Sequence, residues 1–288
     1  MVTLILAAAV PGCGGPEARE PAQTAPPPGV SVSLAQWRSD EADHRLEVAV
    51  SNATDTPIRF SRVQLVTGSF ATLPPYPVDT VLGRTPRTDL RIPYGEAVCP
   101  DDRIPSVRPA AVLADARVGD GPERRIRFDL PHPDPLLTRL VNEECGAHLL
   151  RRKVNITFGD SWRPTRVKGV EGMDAMVGTL HIVRGVGSEE IEIADLGNTT
   201  HFTLRAMSGR TRPVVVLPAG RSRLDLPVML YPSRCDPHAF AEAKKAYLFP
   251  IRASAGGGEP LLLIASPSRE MQLTFTNYAR KACGLPGS

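Results

Sequence analysis

Strict alternation of apolar and polar residues runs through Val30 to Leu34, Leu46 to Val50, Val154 to Phe158 and Ile191 to Ala194. A period of two puts the apolar side chains on one face, the pattern of a half-buried strand. Continuous apolar runs at Val214 to Leu217 and Leu261 to Ile264 predict more deeply buried strands, bounded by Pro or Gly. Helical signals are brief. Asp134-Pro135 offers an N-cap and a first-turn proline for a helix over Leu136 to Cys145, with Leu136, Leu137, Leu140 and Val141 on one face and Gly146 as the stop. Asp236-Pro237 does the same for His238 to Tyr247. Short strands separated by frequent turn signals predict a mainly β protein, built as two tandem immunoglobulin-like antiparallel β-sandwich domains with one or two short helices each.

The pattern repeats along the chain. Val30 to Leu34 leads to Trp37-Arg38, and Val154 to Phe158 leads to Trp162-Arg163, using the only two tryptophans. Asn52-Ala-Thr54 with Ile58-Arg59 is echoed by Asn198-Thr-Thr200 with Leu204-Arg205. Arg87 to Ile92 is echoed by Arg223 to Val228; Cys99 and Cys235 follow at the same interval, and Cys145-Gly146 matches Cys283-Gly284. Matches in the same order in both halves indicate a duplicated module. They place the copies at residues 30–150 and 151–288. The second copy carries an insert drawn from Pro164 to Gly187, and the first is longer around Ser69 to Thr85. Insertions fall most readily in loops, so these segments are where the copies could acquire separate roles.

Residues 1–12 precede the module as an export signal, because Val2 to Val10 is uninterrupted apolar but too short to span a bilayer. Val10-Pro11-Gly12-Cys13 follows and resembles the bacterial lipobox. That resemblance implies a lipid on Cys13 and attachment to the outer face of the cytoplasmic membrane, with plain secretion as the alternative. Residues 13–29 then form a Pro-rich tether with almost no large apolar side chain, a composition that behaves as a semi-rigid spacer.

Composition narrows the class further. The 288 residues are 42% hydrophobic and 23% charged, with a formal net charge of +3, a globular balance. No basic run alternates with aromatics, so nothing suggests a nucleic-acid partner. Arginine greatly outnumbers lysine, as a GC-rich genome would encode.

Five cysteines are an odd number. With Cys13 assigned to lipid, four remain, and in an exported protein they oxidise. Four cysteines allow three connectivities, and the repeat selects Cys99 with Cys145 and Cys235 with Cys283. No C-x-x-C pair and no histidine at ligand spacing accompanies them, so neither a metal site nor a cofactor is expected.

The most tempting catalytic phrase is Gly159-Asp160-Ser161, which follows an apolar strand and resembles the nucleophile block of GDS-type lipases and esterases. The resemblance implies Ser161 as nucleophile. The Asp-x-x-His that the family requires is missing, since Asp236-Pro237-His238 has the wrong spacing, and the repeat aligns this phrase with Leu34-Ala-Gln-Trp37. It therefore reads better as the opening strand of the second copy. The histidines are scattered. Glu143-Glu144 and Glu189-Glu190 are sequence neighbours that point apart on a helix or strand.

Taken together, the lipobox, the Pro-rich tether and the Cys-paired β modules resemble the uncharacterised secreted lipoproteins of GC-rich, Gram-positive-type bacteria. The resemblance implies a non-enzymatic cell-envelope module that meets an envelope protein or cell-wall polymer. Two alternatives stand beside it: a secreted esterase using Ser161, and a small-ligand or metal sensor in the groove between the copies, with the second-copy insert as a lid.

Overall fold

The computed structural model describes residues 24–285 except 169, 171, 173 and 238–244. The expected signal segment and Cys13 lie outside the described residues, as does most of the helix expected over His238 to Tyr247.

Among the described residues, sixteen strands and two α-helices follow one another in the order β1 (Val30–Ala35), β2 (Arg45–Asn52), β3 (Ile58–Thr67), β4 (Tyr76–Leu82), β5 (Thr85–Pro93), β6 (Ala110–Val118), β7 (Arg124–Asp129), α1 (Pro135–Lys153), β8 (Val154–Phe158), β9 (Arg163–Thr165), β10 (Ala175–Arg184), β11 (Ile191–Leu196), β12 (Phe202–Ala206), β13 (Val215–Leu217), β14 (Arg223–Pro232), β15 (Phe249–Ala255), β16 (Leu261–Ala265) and α2 (Arg269–Ala282). The protein is mainly β, and every paired strand is antiparallel to its neighbour.

In the first half, a sheet ordered β1-β2-β5 faces one ordered β4-β3-β6-β7. Their inward residues, among them Leu46, Ile58, Phe60, Leu90 and Phe128, form one core with Leu137, Leu140 and Val141 of α1. The second half repeats the plan with β8-β10-β14 and β13-β11-β15-β16, and α2 adds Met271, Phe275 and Ala279 to its core. Strand β12 extends the first of these sheets beyond β14, and β9 pairs with β10 beside β8. A disulfide in each half, Cys99–Cys145 and Cys235–Cys283, ties the connection after β5 or β14 to the following helix.

This topology corrects one of the expected repeat matches. β1, β2 and β5 occupy the places of β8, β10 and β14, so the cysteine and tryptophan matches fall at equivalent places. The Asn match does not. Asn52 ends β2, with its amide donating to Thr56 O at 3.0 Å, whereas Asn198 follows β11 and accepts from Leu204 N–H at 3.2 Å. Asn readily closes turns by bonding to nearby backbone, so similar Asn-x-Thr phrases arose in two different connections. The Pro164 to Gly187 insert takes in the end of β9 and all of β10.

Three local expectations change for tertiary reasons. α1 begins as expected, with the Asp134 carboxylate accepting from Leu137 N–H at 3.0 Å, but it runs through Gly146 to Lys153. Gly146 lies where α1 crosses β16: a Cβ there would sit 3.3 Å from Leu261 Cδ2. A residue without a side chain lets the two elements approach, and that packing outweighs its low helix propensity. The apolar runs expected as deep strands, β13 and β16, are the two edges of their sheet; Leu261 and Leu262 are apolar because they meet α1 and the groove beside it. Conversely, β2 is buried on both faces, since Glu47 and Ala49, on its outward side, are covered.

Candidate groove between the two halves

No linker separates the halves. α1 belongs to the first core through Leu137 to Cys145 and to the second through Leu150, and its last turn passes directly into β8, with Val154 N–H bonding to Leu150 O. Lys153 Nζ pairs with Glu189 at 2.7 Å. Because α1 packs on the β15–β16 edge, the second half sits against the open ends of β1, β2 and β5, and a groove of about 460 Å3 remains between them.

One wall comes from the first half. Gln36, Glu41 and His44 lie on the turn between β1 and β2, Tyr94 follows β5, and Leu140, Glu143 and Glu144 project from α1. The opposite wall is Asn198 to Thr200, Lys245, Leu248, Pro250, Leu262 and Ile264. Lys245 reaches across the groove to pair with Glu41.

The floor is a network around Glu144. Tyr94 O–H donates to Glu144 Oε1 at 3.1 Å, and Ala97 N–H donates to Oε2 at 3.0 Å. The His44 ring stacks on Tyr94 with centroids 4.5 Å apart, and its Nε2 lies 3.6 Å from Glu144. Burial, followed by the Glu144 charge, pushes the Tyr94 phenol above its usual range, so it stays a hydrogen-bond donor. Glu143 turns away to Arg139 at 3.0 Å, and Arg139 also donates to Gln36 at 2.8 Å. The neighbouring glutamates thus diverge, as their sequence adjacency implies, yet both line the groove. What the arrangement offers chemically is an apolar side from Leu248, Pro250, Leu262 and Ile264, facing a carboxylate held by neutral donors.

Behind this wall lies a second carboxylate site. Asp40 and Glu47 are 3% and 2% exposed and hydrogen-bond to each other. Burial first, and then the Asp40 carboxylate, raises the Glu47 pKa to about 7. The bond to Glu47, with Arg91 against it, holds Asp40 low. Trp37 N–H donates to Glu47 Oε2 at 3.2 Å, so the pair anchors the turn that carries Gln36, Glu41 and His44.

Ser161 stands elsewhere. Gly159 to Trp162 bulge out between β8 and β9, where Gly159 N–H bonds to Thr179 O at 2.8 Å and Trp162 Nε1 donates to Gly159 O at 2.7 Å. The indole covers Gly178, leaving no room for a Cβ there, and packs edge-on against Phe275. His181 and Asp225, 2.8 Å apart on the neighbouring strands, form a pair that also engages Arg223; Ser161 makes no hydrogen bond to it among the described residues. No group of three or more His, Cys, Asp or Glu suited to a metal occurs among the described residues. Among the described residues of the segment expected as a lid, Pro164 to Gly187, Val177 to Thr179 lie at this edge and none lines the groove wall.

No family model and no curated protein matches the chain. Among solved structures it is similar to a complex of the exo-chitosanase CsxA of Amycolatopsis orientalis with PNP-beta-D-glucosamine, at 13% identity and a TM-score of 0.20, over 81% of this chain and 26% of that one. It is also similar to the exo-beta-D-glucosaminidase CsxA with a glucosamine-configured castanospermine and an amino-australine analogue, at 10% identity and a TM-score of 0.19, over the same shares. The chain spans about a quarter of the length of these proteins. Likeness at this level says nothing of activity.

Sequence reasoning placed none of His44, Tyr94, Glu144 and Lys245 together. They are far apart in the chain and share no spacing rule: the first half's own fold brings His44, Tyr94 and Glu144 together, and the packing of α1 on the second half sets Lys245 opposite them.

Proposed function

We propose that the protein is a non-enzymatic cell-envelope module, exported and held at the outer face of the cytoplasmic membrane by a lipid on Cys13. Its two immunoglobulin-like sandwiches form a binding unit for an envelope protein or cell-wall polymer. The observation that carries this reading is the groove, walled jointly by two halves that share one helix and no linker. Two disulfides support an oxidising compartment. The test is cross-linking and pulldown from intact cells, comparing the wild type with Ile264→Asp, which sets a charge in the apolar wall. A partner recovered by the wild type and lost in the variant is the expected result; equal recovery, or none above background, overturns the reading.

The groove's size favours a second reading, a small-ligand sensor, because about 460 Å3 falls within the range of ligand pockets. Thermal-shift screening separates the two, since a small ligand at a hundred times its dissociation constant adds about 2.7 kcal/mol.

A further inference from the structure

The lining of the groove divides by chemistry. Leu248, Pro250, Leu262 and Ile264 make one side apolar, and Ile264, on the edge strand β16, keeps 39% of its surface exposed. Large apolar side chains left open along a concave wall suit the hydrocarbon part of a ligand.

The other side carries charge, most of it matched. Glu41 pairs with Lys245, and Glu143 pairs with Arg139 at 3.0 Å. Counting both pairs as neutral leaves one carboxylate, Glu144, whose side chain is 22% exposed. No Lys or Arg is ion-paired to it among the described residues. Its two hydrogen bonds come from neutral groups, Oε1 accepting from Tyr94 O–H and Oε2 from Ala97 N–H. His44 Nε2, at 3.6 Å, is too far to add a third. A carboxylate has about four acceptor positions, so each oxygen keeps one open. Across the groove the polar side chains are already engaged: Asn198 Oδ1 accepts from Leu204 N–H, and Thr199 Oγ1 from Phe202 N–H. A half-buried carboxylate with spare acceptors is met best by a cation that donates N–H bonds.

We propose that the groove binds a small molecule with a primary ammonium group on an aliphatic body, the ammonium donating to Glu144 and the body lying against the apolar wall. The inference rests on the small-ligand reading of the groove and names its ligand class. A volume of about 460 Å3 admits one such molecule. A quaternary ammonium brings the charge without an N–H, an alcohol brings a donor without the charge, and a carboxylate is repelled.

The test titrates the full chain, by calorimetry, with hexylamine, hexyltrimethylammonium, hexanol and hexanoate. Hexylamine should bind at least about tenfold more tightly than the other three. Glu144→Gln should remove that preference. Glu143→Gln, which takes the same charge from a carboxylate already paired, should keep it within about twofold. Ile264→Ser, which opens the apolar wall without adding charge, should weaken every member of the series that binds. Equal affinity for all four, lost in Ile264→Ser, overturns the ammonium and leaves the small-ligand groove standing. Binding of none, or binding indifferent to Ile264→Ser, overturns both. Equal loss of the preference in the two glutamine variants overturns the assignment to Glu144. Should Glu144→Gln fail to fold, the wild-type series still decides between ammonium and the other classes.

Discussion

Asp40 and Glu47 form a hydrogen-bonded carboxyl pair buried between β2 and the turn that precedes it. Two carboxylates in that position cannot both be charged cheaply, so the pair holds a proton.

The Glu47 pKa, raised to about 7 from its ordinary value of 4.5, makes stability depend on pH. The folded state binds this proton more tightly than the unfolded chain, so the contribution is full below about pH 4.5 and is lost as pH rises through about 7. Asp40, whose pKa is lowered, acts oppositely and only in more acid solution. Glu47→Gln keeps a donor for Asp40 and an acceptor for Trp37 N–H but cannot ionise. Thermal unfolding between pH 5 and 8 should show a falling midpoint for the wild type and a flat one for the variant, with the variant ahead by about 1–2 kcal/mol at pH 8. Parallel curves would refute the shared proton.

The tryptophans occupy equivalent places but do different work. Trp162 covers Gly178 and packs on Phe275, whereas Trp37 is 54% exposed with Arg87 5.8 Å above its ring. Trp162→Ala should cost about 3–5 kcal/mol, and Trp37→Ala less than about 1 kcal/mol. Denaturant titration of both variants measures the contrast; similar losses would contradict it.

Gly146 sets how closely α1 approaches β16. Gly146→Val places a branched side chain against Leu261 and should destabilise by about 1–3 kcal/mol. Binding at the groove should fall with it, because the same helix carries Leu140, Glu143 and Glu144. An unfolding midpoint equal to wild type would show that the helix has slack.

The bridges differ in access. Cys145 is fully buried, while Cys235 is exposed. Thiol trapping during mild reduction should find Cys235 and Cys283 free before Cys99 and Cys145. Each bridge closes a loop of similar length, 46 and 48 residues, and removing either should cost about 4 kcal/mol on the chain-entropy account.

Much of the fold was legible because alternation is a local signal: β1, β2, β8 and β11 all arise where Val30, Leu46, Val154 and Ile191 open a period-two run. The cysteines were informative because the interval from Leu90 to Cys99 recurs from Leu226 to Cys235, and the two bridges join the partners so marked. Asn52 and Asn198 misled because turn chemistry recurs in any connection. Gly146 looked like a helix stop because only contact with Leu261, distant in the chain, explains a glycine there. Glu47 occupied a polar position in an alternating strand and so read as solvent-facing. The groove was illegible for a like reason: His44 and Tyr94 meet through the pairing of β2 with β5, and Lys245 faces them only once α1 has packed on β16.

The join at Leu150 and Val154 has a mechanical consequence. The helix's last hydrogen bond is already shared with the first residue of the next strand, so no loop intervenes between the halves. The Cys99–Cys145 bridge fastens this same helix to the connection after β5, and reducing it should widen the angular range of the second half while each core stays folded, which small-angle scattering with and without reductant measures.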